Sequence, residues 1–198
     1  MAKLQLDDIV DLREYEKERE AFRRSIIELK SFRRIALGDL ATVVFENSDT
    51  IRFQIQEMAR AEKMLRDEQI EAELAIYNPM IPEKGELKAT LFLELVTKEI
   101  LQQWLPALVG IENSVYLDLG EGNGARRIMA RPEQGHGAQL TREDVTASVH
   151  YVEWALDEQA QELFRSSSIF IGVDHPNYQV HAELPQNTVE SLLSDWSL

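Results

Sequence analysis

The chain has 198 residues, 44% of them hydrophobic, with no cysteine and a formal net charge of −14. That length and apolar content suffice for a sizeable core, and one compact domain over 1–198 is expected. The missing cysteines exclude disulfides, thiolate metal sites, cysteine-ligated iron–sulfur clusters and a cysteine nucleophile, while the acidic balance argues against nucleic acid as a partner.

No apolar run is long enough to cross a bilayer, and Asp7, Asp8 and Asp11 replace the basic-then-apolar order of a secretion signal. The expectation is a cytoplasmic protein without a membrane partner. The charge is unevenly spread. Over 143–198 ten acidic residues face the single base Arg165, whereas 19–34 holds six bases and two acids. Such a chain has a basic end and an acidic end, and some pairing between them is expected.

In chain order, Asp11 and Glu14 resemble a capping box, and Tyr15, Phe22, Ile26 and Leu29 form the stripe of a helix reaching about residue 32. Residues 35–46 read as a strand broken by a turn at Gly38-Asp39, with β-branched Thr42, Val43 and Val44. A central helix follows over 50–77, stopped by Asn78-Pro79 and Ile81-Pro82, since proline lacks the amide donor that would continue it. Alternating segments then dominate, at 89–96, 115–119, 126–131, 146–155, 169–173 and 179–184. Short helices are expected at 98–105, at 157–164 and after a cap at Asn187. The fold class is therefore α+β: a mainly antiparallel sheet of six or more strands, packed on one face by a long N-terminal and a long central helix. Gly120 to Gly124 is a hairpin connection, because no strand-to-helix setting makes it a phosphate loop.

Strand parity assigns the faces. Ala89, Leu91, Leu93 and Leu95 align with Val115, Leu117, Leu119, Ile169, Ile171, Val173, Val180, Ala182 and Leu184 as a core face lying under the helices. The opposite set holds Thr90, Phe92, Glu94, Tyr116 and Asp118, joined by Ser148, His150, Val152 and Trp154. Such a face is either a half-wet sheet surface, which base rates favour, or the lining of a pocket.

Glu62 is the anomaly of the central helix. Ile51, Ile55, Met58 and Leu65 recur at helical spacing, and Glu62 stands on that face where another Leu would fit. A carboxylate there must be paired, protonated or bound. It has two sets of partners: Arg33 or Arg34 in an ion pair, the plainer account, or a sheet residue such as His150. Glu57 and Glu62 lie about 140° apart around the helix, so that helix alone builds no two-carboxylate metal site. His150 lies within a strand and His175 at a strand end before Pro176. With Glu94 or Glu62 they have the composition of a two-histidine, one-carboxylate iron site. Each histidine also has a structural account, a turn hydrogen bond for His175 and a satisfied interior polar residue for His150. His136 reads as a loop residue and His181 as a solvent-facing strand position. Ser166-Ser167-Ser168 is a polar turn without a base beside it, so nucleophilic hydrolysis has no support.

Eight segments carry a resemblance. They are Lys30-Ser31-Phe32-Arg33-Arg34, Phe45-Glu46-Asn47, Gln54-Ile55-Gln56-Glu57-Met58-Ala59-Arg60-Ala61-Glu62, Glu73-Leu74-Ala75-Ile76-Tyr77-Asn78, Leu87-Lys88-Ala89-Thr90, Gly110-Ile111-Glu112, Ser148-Val149-His150 and Gly172-Val173-Asp174-His175-Pro176-Asn177-Tyr178. In that order they resemble an uncharacterised bacterial family, domain of unknown function 3501. The resemblance implies a neighbourhood of rubrerythrin-like and iron–sulfur oxidoreductase proteins, and so a role near iron redox chemistry or peroxide defence. Two readings follow. The first is a metal- or cofactor-binding accessory to such a system, holding a divalent metal such as iron through residues drawn from Glu57, Glu62, Glu94, His150 and His175. The second is a structural or adapter protein whose polar motifs lock helices onto the sheet and whose acidic C-terminal part docks a partner. An enzyme with a sheet-lined pocket has no residue pattern of its own here.

Overall fold

Asp11 opens the first helix as its composition requires: its Oδ1 accepts from the backbone N–H groups of Arg13 and Glu14, satisfying two otherwise orphaned donors. The computed structural model describes residues 3–121, 125–133 and 144–197. Helix α1 (Leu12–Arg33) runs directly into strand β1 (Arg34–Leu37), which turns at Gly38 into β2 (Ala41–Phe45). Helix α2 (Ser48–Glu62) is capped reciprocally, Asn47 Oδ1 accepting from Thr50 N–H and Thr50 Oγ1 from Asn47 N–H.

The expected central helix is two helices. Lys63 adopts a left-handed conformation (φ 53°), and Met64 N–H bonds back to the Ala59 carbonyl, closing α2 before α3 (Asp67–Tyr77) begins. A lysine in that region costs on the order of 1 kcal/mol, which burial of the Met64 side chain offsets.

The remaining elements are β3 (Glu86–Leu93), α4 (Lys98–Ala107), β4 (Val115–Leu119), β5 (Arg126–Met129), β6 (Arg131–Pro132), β7 (Val149–Ala155), α5 (Glu158–Ser166), β8 (Ile169–His175), β9 (Tyr178–Glu183) and α6 (Gln186–Asp195). Residues 122–124 of the glycine-rich connection and 134–143 lie outside the described residues. Helix α6 starts two residues earlier than a cap at Asn187 would allow, with Pro185 in the capping position. Its fixed φ already suits a helix entry.

The fold is α+β with antiparallel pairing, but the strands form two sheets rather than one, in the orders β1-β2-β3-β7-β6 and β5-β4-β8-β9. The two inner faces share one apolar core, in which Val43, Leu91 and Trp154 of the first sheet meet Leu117, Ile171 and Val173 of the second. The core thus lies between sheets, not under the helices. At one edge the chain passes from β5 to β6, and so from sheet to sheet, across Ala130. At the other edge the Tyr178 hydroxyl donates to the Leu37 carbonyl and accepts from Leu40 N–H. Gly38 makes that possible: it holds φ 65°, and a Cβ there would stand 2.6 Å from the Tyr178 oxygen.

Helices α4, α5 and α6 pack against the core between the sheets, while α1, α2 and α3 cover the outer face of the five-stranded sheet. A second apolar cluster there joins Ile51 and Ile55 of α2, Leu74 of α3, Met80 and Ile81, with Tyr151 of β7 packed against it. Strand β2 is consequently buried along both faces.

One buried ion pair ties the ends of this arrangement together. Arg33, the last residue of α1, donates to both Asp195 carboxylate oxygens at 2.7 and 2.8 Å, and also to Ser191 Oγ and the Ser191 carbonyl. Asn47 Nδ2 reaches the same carboxylate at 3.3 Å. Here the basic N-terminal part meets the acidic C-terminal part. Removing one member leaves the other charge buried, so Asp195→Ala is expected to cost about 3–5 kcal/mol in urea unfolding. Replacing both, Arg33→Met with Asp195→Leu, is expected to recover more than half of that loss.

Candidate ligand cavity

Alternation along β2 sends Val43 and Phe45 into the sandwich and turns Val44 and Glu46 toward the helices. The ladder then fixes what stands beside them. Val44 pairs with Thr90, which pairs with Tyr151, and Phe92 pairs with Val149. The Thr90, Phe92, Val149 and Tyr151 side chains form the floor of a cavity of about 240 Å³, roofed by Thr50 and Ile51 from the first turn of α2 and by Tyr77 and Met80. Lys30 of α1 and Gln54 of α2 stand at its rim.

Glu46 is the unusual wall residue. It is 6% exposed, and its Oε1 accepts from the Thr90 hydroxyl at 2.7 Å. Among the described residues no basic side chain pairs with it. Lys88, which faces the same way two residues before Thr90, is drawn instead to Glu86, Glu153 and the Pro79 carbonyl. The positive end of the α2 dipole begins just beyond Asn47 and offsets part of the cost of burying this carboxylate. Burial pushes the neighbouring Tyr151 phenol above its usual pKa, and Tyr77 and Glu46 add to the effect.

The five residues expected to hold a metal are not gathered here or anywhere else. Glu57 of α2 faces α1, where it accepts from Tyr15 Oη at 2.7 Å and from Arg19 Nε and Nη2 at 2.8 and 2.9 Å. Glu62 is exposed on the last turn of α2. Its expected partners are engaged elsewhere, Arg33 with Asp195 and Arg34 with Glu94 at 2.7 Å. The ion pair expected for Glu62 therefore does not form, because α2 ends before its apolar stripe would have enclosed that position. The Glu94 carboxyl is held below its usual range by hydrogen bonds from Thr42 and Arg34.

His175 uses both ring nitrogens locally, Nε2–H donating to the Val109 carbonyl at 3.1 Å and Nδ1 accepting from Asn177 N–H at 3.2 Å. His150 lies on the inner face of β7, not the outer one. Leu91↔His150, Ala89↔Val152 and Leu87↔Trp154 are cross-strand partners, so this parity shares the face of the core leucines and Val149, Tyr151 and Glu153 point outward. Its Nε2 lies 2.9 Å from the Ala147 carbonyl and 3.1 Å from Thr146 Oγ1, while Nδ1 stands 3.7 Å from Glu112 Oε2. Among the described residues, no group of three or more His, Asp or Glu side chains is arranged to hold a metal ion. His136 lies outside the described residues, and no helix among them is long and apolar enough to cross a membrane.

Two of these residues give the fold a defined pH response. Burial pushes the His150 imidazole below its ordinary value of 6.5, with Glu112 working against it. The unfolded chain then binds more protons than the folded one below about pH 6.5, so this contribution is complete above that pH and is lost as pH falls. His150→Gln is expected to flatten the dependence of the urea midpoint between about pH 7 and 5. Arg19, followed by Tyr15, holds the Glu57 carboxyl at about 2 against partial burial. Its contribution is present above the ordinary value of 4.5 and disappears toward about 2. Glu57→Gln is expected to cost about 1–2 kcal/mol near pH 7, and the difference from the parent should vanish near pH 2.

A family model described as a protein of unknown function (DUF3501) matches residues 3–196. A crystal structure of a novel protein of unknown function from Burkholderia pseudomallei K96243 is similar with a TM-score of 0.88, at 30% sequence identity, over 98% of this chain and 99% of that one. No curated protein matches the chain. Matched over nearly its whole length by that model, the chain belongs to the DUF3501 family.

Proposed function

We propose that this chain binds a small organic molecule in the cavity between α2, α3 and the outer face of the five-stranded sheet. One observation carries the reading: a carboxylate 6% exposed, Glu46, lines an apolar and aromatic cavity with the Thr90 hydroxyl as its hydrogen-bond partner. A buried carboxylate without a matching charge among the described residues is costly unless a ligand supplies one, and ligand cavities place a few such polar groups among apolar and aromatic walls. Six of the eight segments that carry the family resemblance each supply a wall residue: Lys30, Glu46, Gln54, Tyr77, Thr90 and Val149. The reading retains the cofactor-binding half of the sequence expectation. It sets aside the two-histidine metal site, since His150 and His175 are both engaged by neighbouring backbone carbonyls.

The test uses Gln54→Trp, a change at an exposed helical position on the rim that narrows entry without touching the core. Protein purified without denaturation is expected to carry a bound mass under 300 Da, an order-of-magnitude bound set by so small a cavity, in native mass spectrometry, and Gln54→Trp to lack it. A diverse compound library should also contain molecules that raise the melting temperature of the parent and not of the variant. No bound mass together with no such compound would remove the reading.

A further inference from the structure

We infer that the occupant of this cavity is a small organic cation, an amine with a short apolar body, with Glu46 as its counter-ion; the inference rests on the cavity being a ligand site. The walls divide into two chemistries. One is the Glu46 carboxylate, with one oxygen engaged by Thr90. The other is a surround of Tyr77, Phe92 and Tyr151 rings with Ile51, Met80 and Val149. An ammonium group meets both. Its N–H donors and charge match the carboxylate, and aromatic faces attract cations, most strongly where water is excluded. A neutral ligand leaves Glu46 without an opposite charge, and an anion places like charges together in a poorly solvated space.

Size narrows the class further. At about 240 Å³ the cavity falls below the roughly 300–1,000 Å³ of drug-sized sites, so the body beyond the nitrogen is short. The bases around the cavity do not overturn the preference. Arg34, whose guanidinium lies 5.8 Å from the Phe92 ring centre, is neutralised by Glu94. Lys88 is held by two carboxylates. Lys30 stands at the rim and, among the described residues, forms no ion pair with Glu46. The net charge of −14 also raises the local concentration of cations over that of anions.

Matched ligands test the class. The full-length protein is titrated calorimetrically with butylamine, butanol and butyrate, and with benzylamine, benzyl alcohol and benzoate. The amines are expected to bind at least about ten-fold more tightly than the alcohols, with no detectable carboxylate binding. Glu46→Gln, which keeps the shape, should abolish the preference for amines; Tyr77→Leu should weaken amine binding several-fold more than alcohol binding, and it keeps the test decisive if Glu46→Gln does not fold. Lys30→Met should leave amine affinity unchanged or raise it. Alcohols or carboxylates binding as well as amines, or amine affinity unchanged in Glu46→Gln, would overturn the cation while the cavity reading stands. Binding of none of the six compounds to parent or variants, with Lys30→Met as destabilising as Glu46→Gln, would mean that Lys30 itself neutralises the carboxylate, and would also overturn it. The cavity reading falls separately, on the absence of any bound mass and any stabilising compound.

Discussion

The bidentate pair between Arg33 and Asp195 is the constraint from which the rest of the arrangement is set. Arg33 closes α1 immediately before β1, Asp195 closes α6, and Asn47, which reaches the same carboxylate, is the cap of α2. Three helix ends, the entry of β1 and the exit of β2 are thereby fixed around one charge. Pairs this deeply buried add little net stability, since desolvation consumes most of the Coulombic gain, but they discriminate sharply against alternatives that leave either charge unmatched. The residue before Asn47 is Glu46. A contact between the two ends of the chain therefore also sets the position of the cavity carboxylate.

Much of the fold was legible because it follows from short-range rules. The alternation of Ala89, Leu91, Leu93 and Leu95, of Leu117 and Leu119, and of Ile169, Ile171 and Val173 identifies inner faces correctly. Asp11, Thr97 and Asp157 accept hydrogen bonds at helix starts as their type predicts. The division into two sheets was not legible, because the facing surfaces of a sandwich carry the same alternation as one extended sheet. The break between α2 and α3 was hidden for a related reason. Its left-handed residue is Lys63 rather than a glycine, and Leu65, which continues the stripe on paper, is 82% exposed.

The candidate site was less legible than the fold. Thr90 and Phe92 fall on the outer face as expected, but the parity expected for 146–155 is the wrong one for β7, placing His150 on that face and leaving Tyr151 out. A one-residue change of parity exchanges every side chain between core and cavity. The apolar character of Val152 and Trp154 was the signal that places His150 inside with them. In the sequence Glu46 stands out only as part of a family segment. Its role depends on the pairing of β2 with β3 and on α2 lying over both, neither of which short-range periodicity specifies.

Two buried ionisable side chains remain to be compared, and they differ in what their surroundings supply. His150 can be neutral at no cost in charge, with the Ala147 carbonyl and the Thr146 hydroxyl within hydrogen-bond reach of one nitrogen, and burial moves it further toward that neutral form. Protein groups alone account for it. Among the described residues Glu46 receives one hydroxyl, from Thr90, and a helix dipole, but no basic side chain. An isolated structural role would be served as well by glutamine, which also accepts from Thr90 and carries no charge to bury. A carboxylate is useful here only if an opposite charge arrives, and the aromatic walls around it suit such a charge better than they suit water.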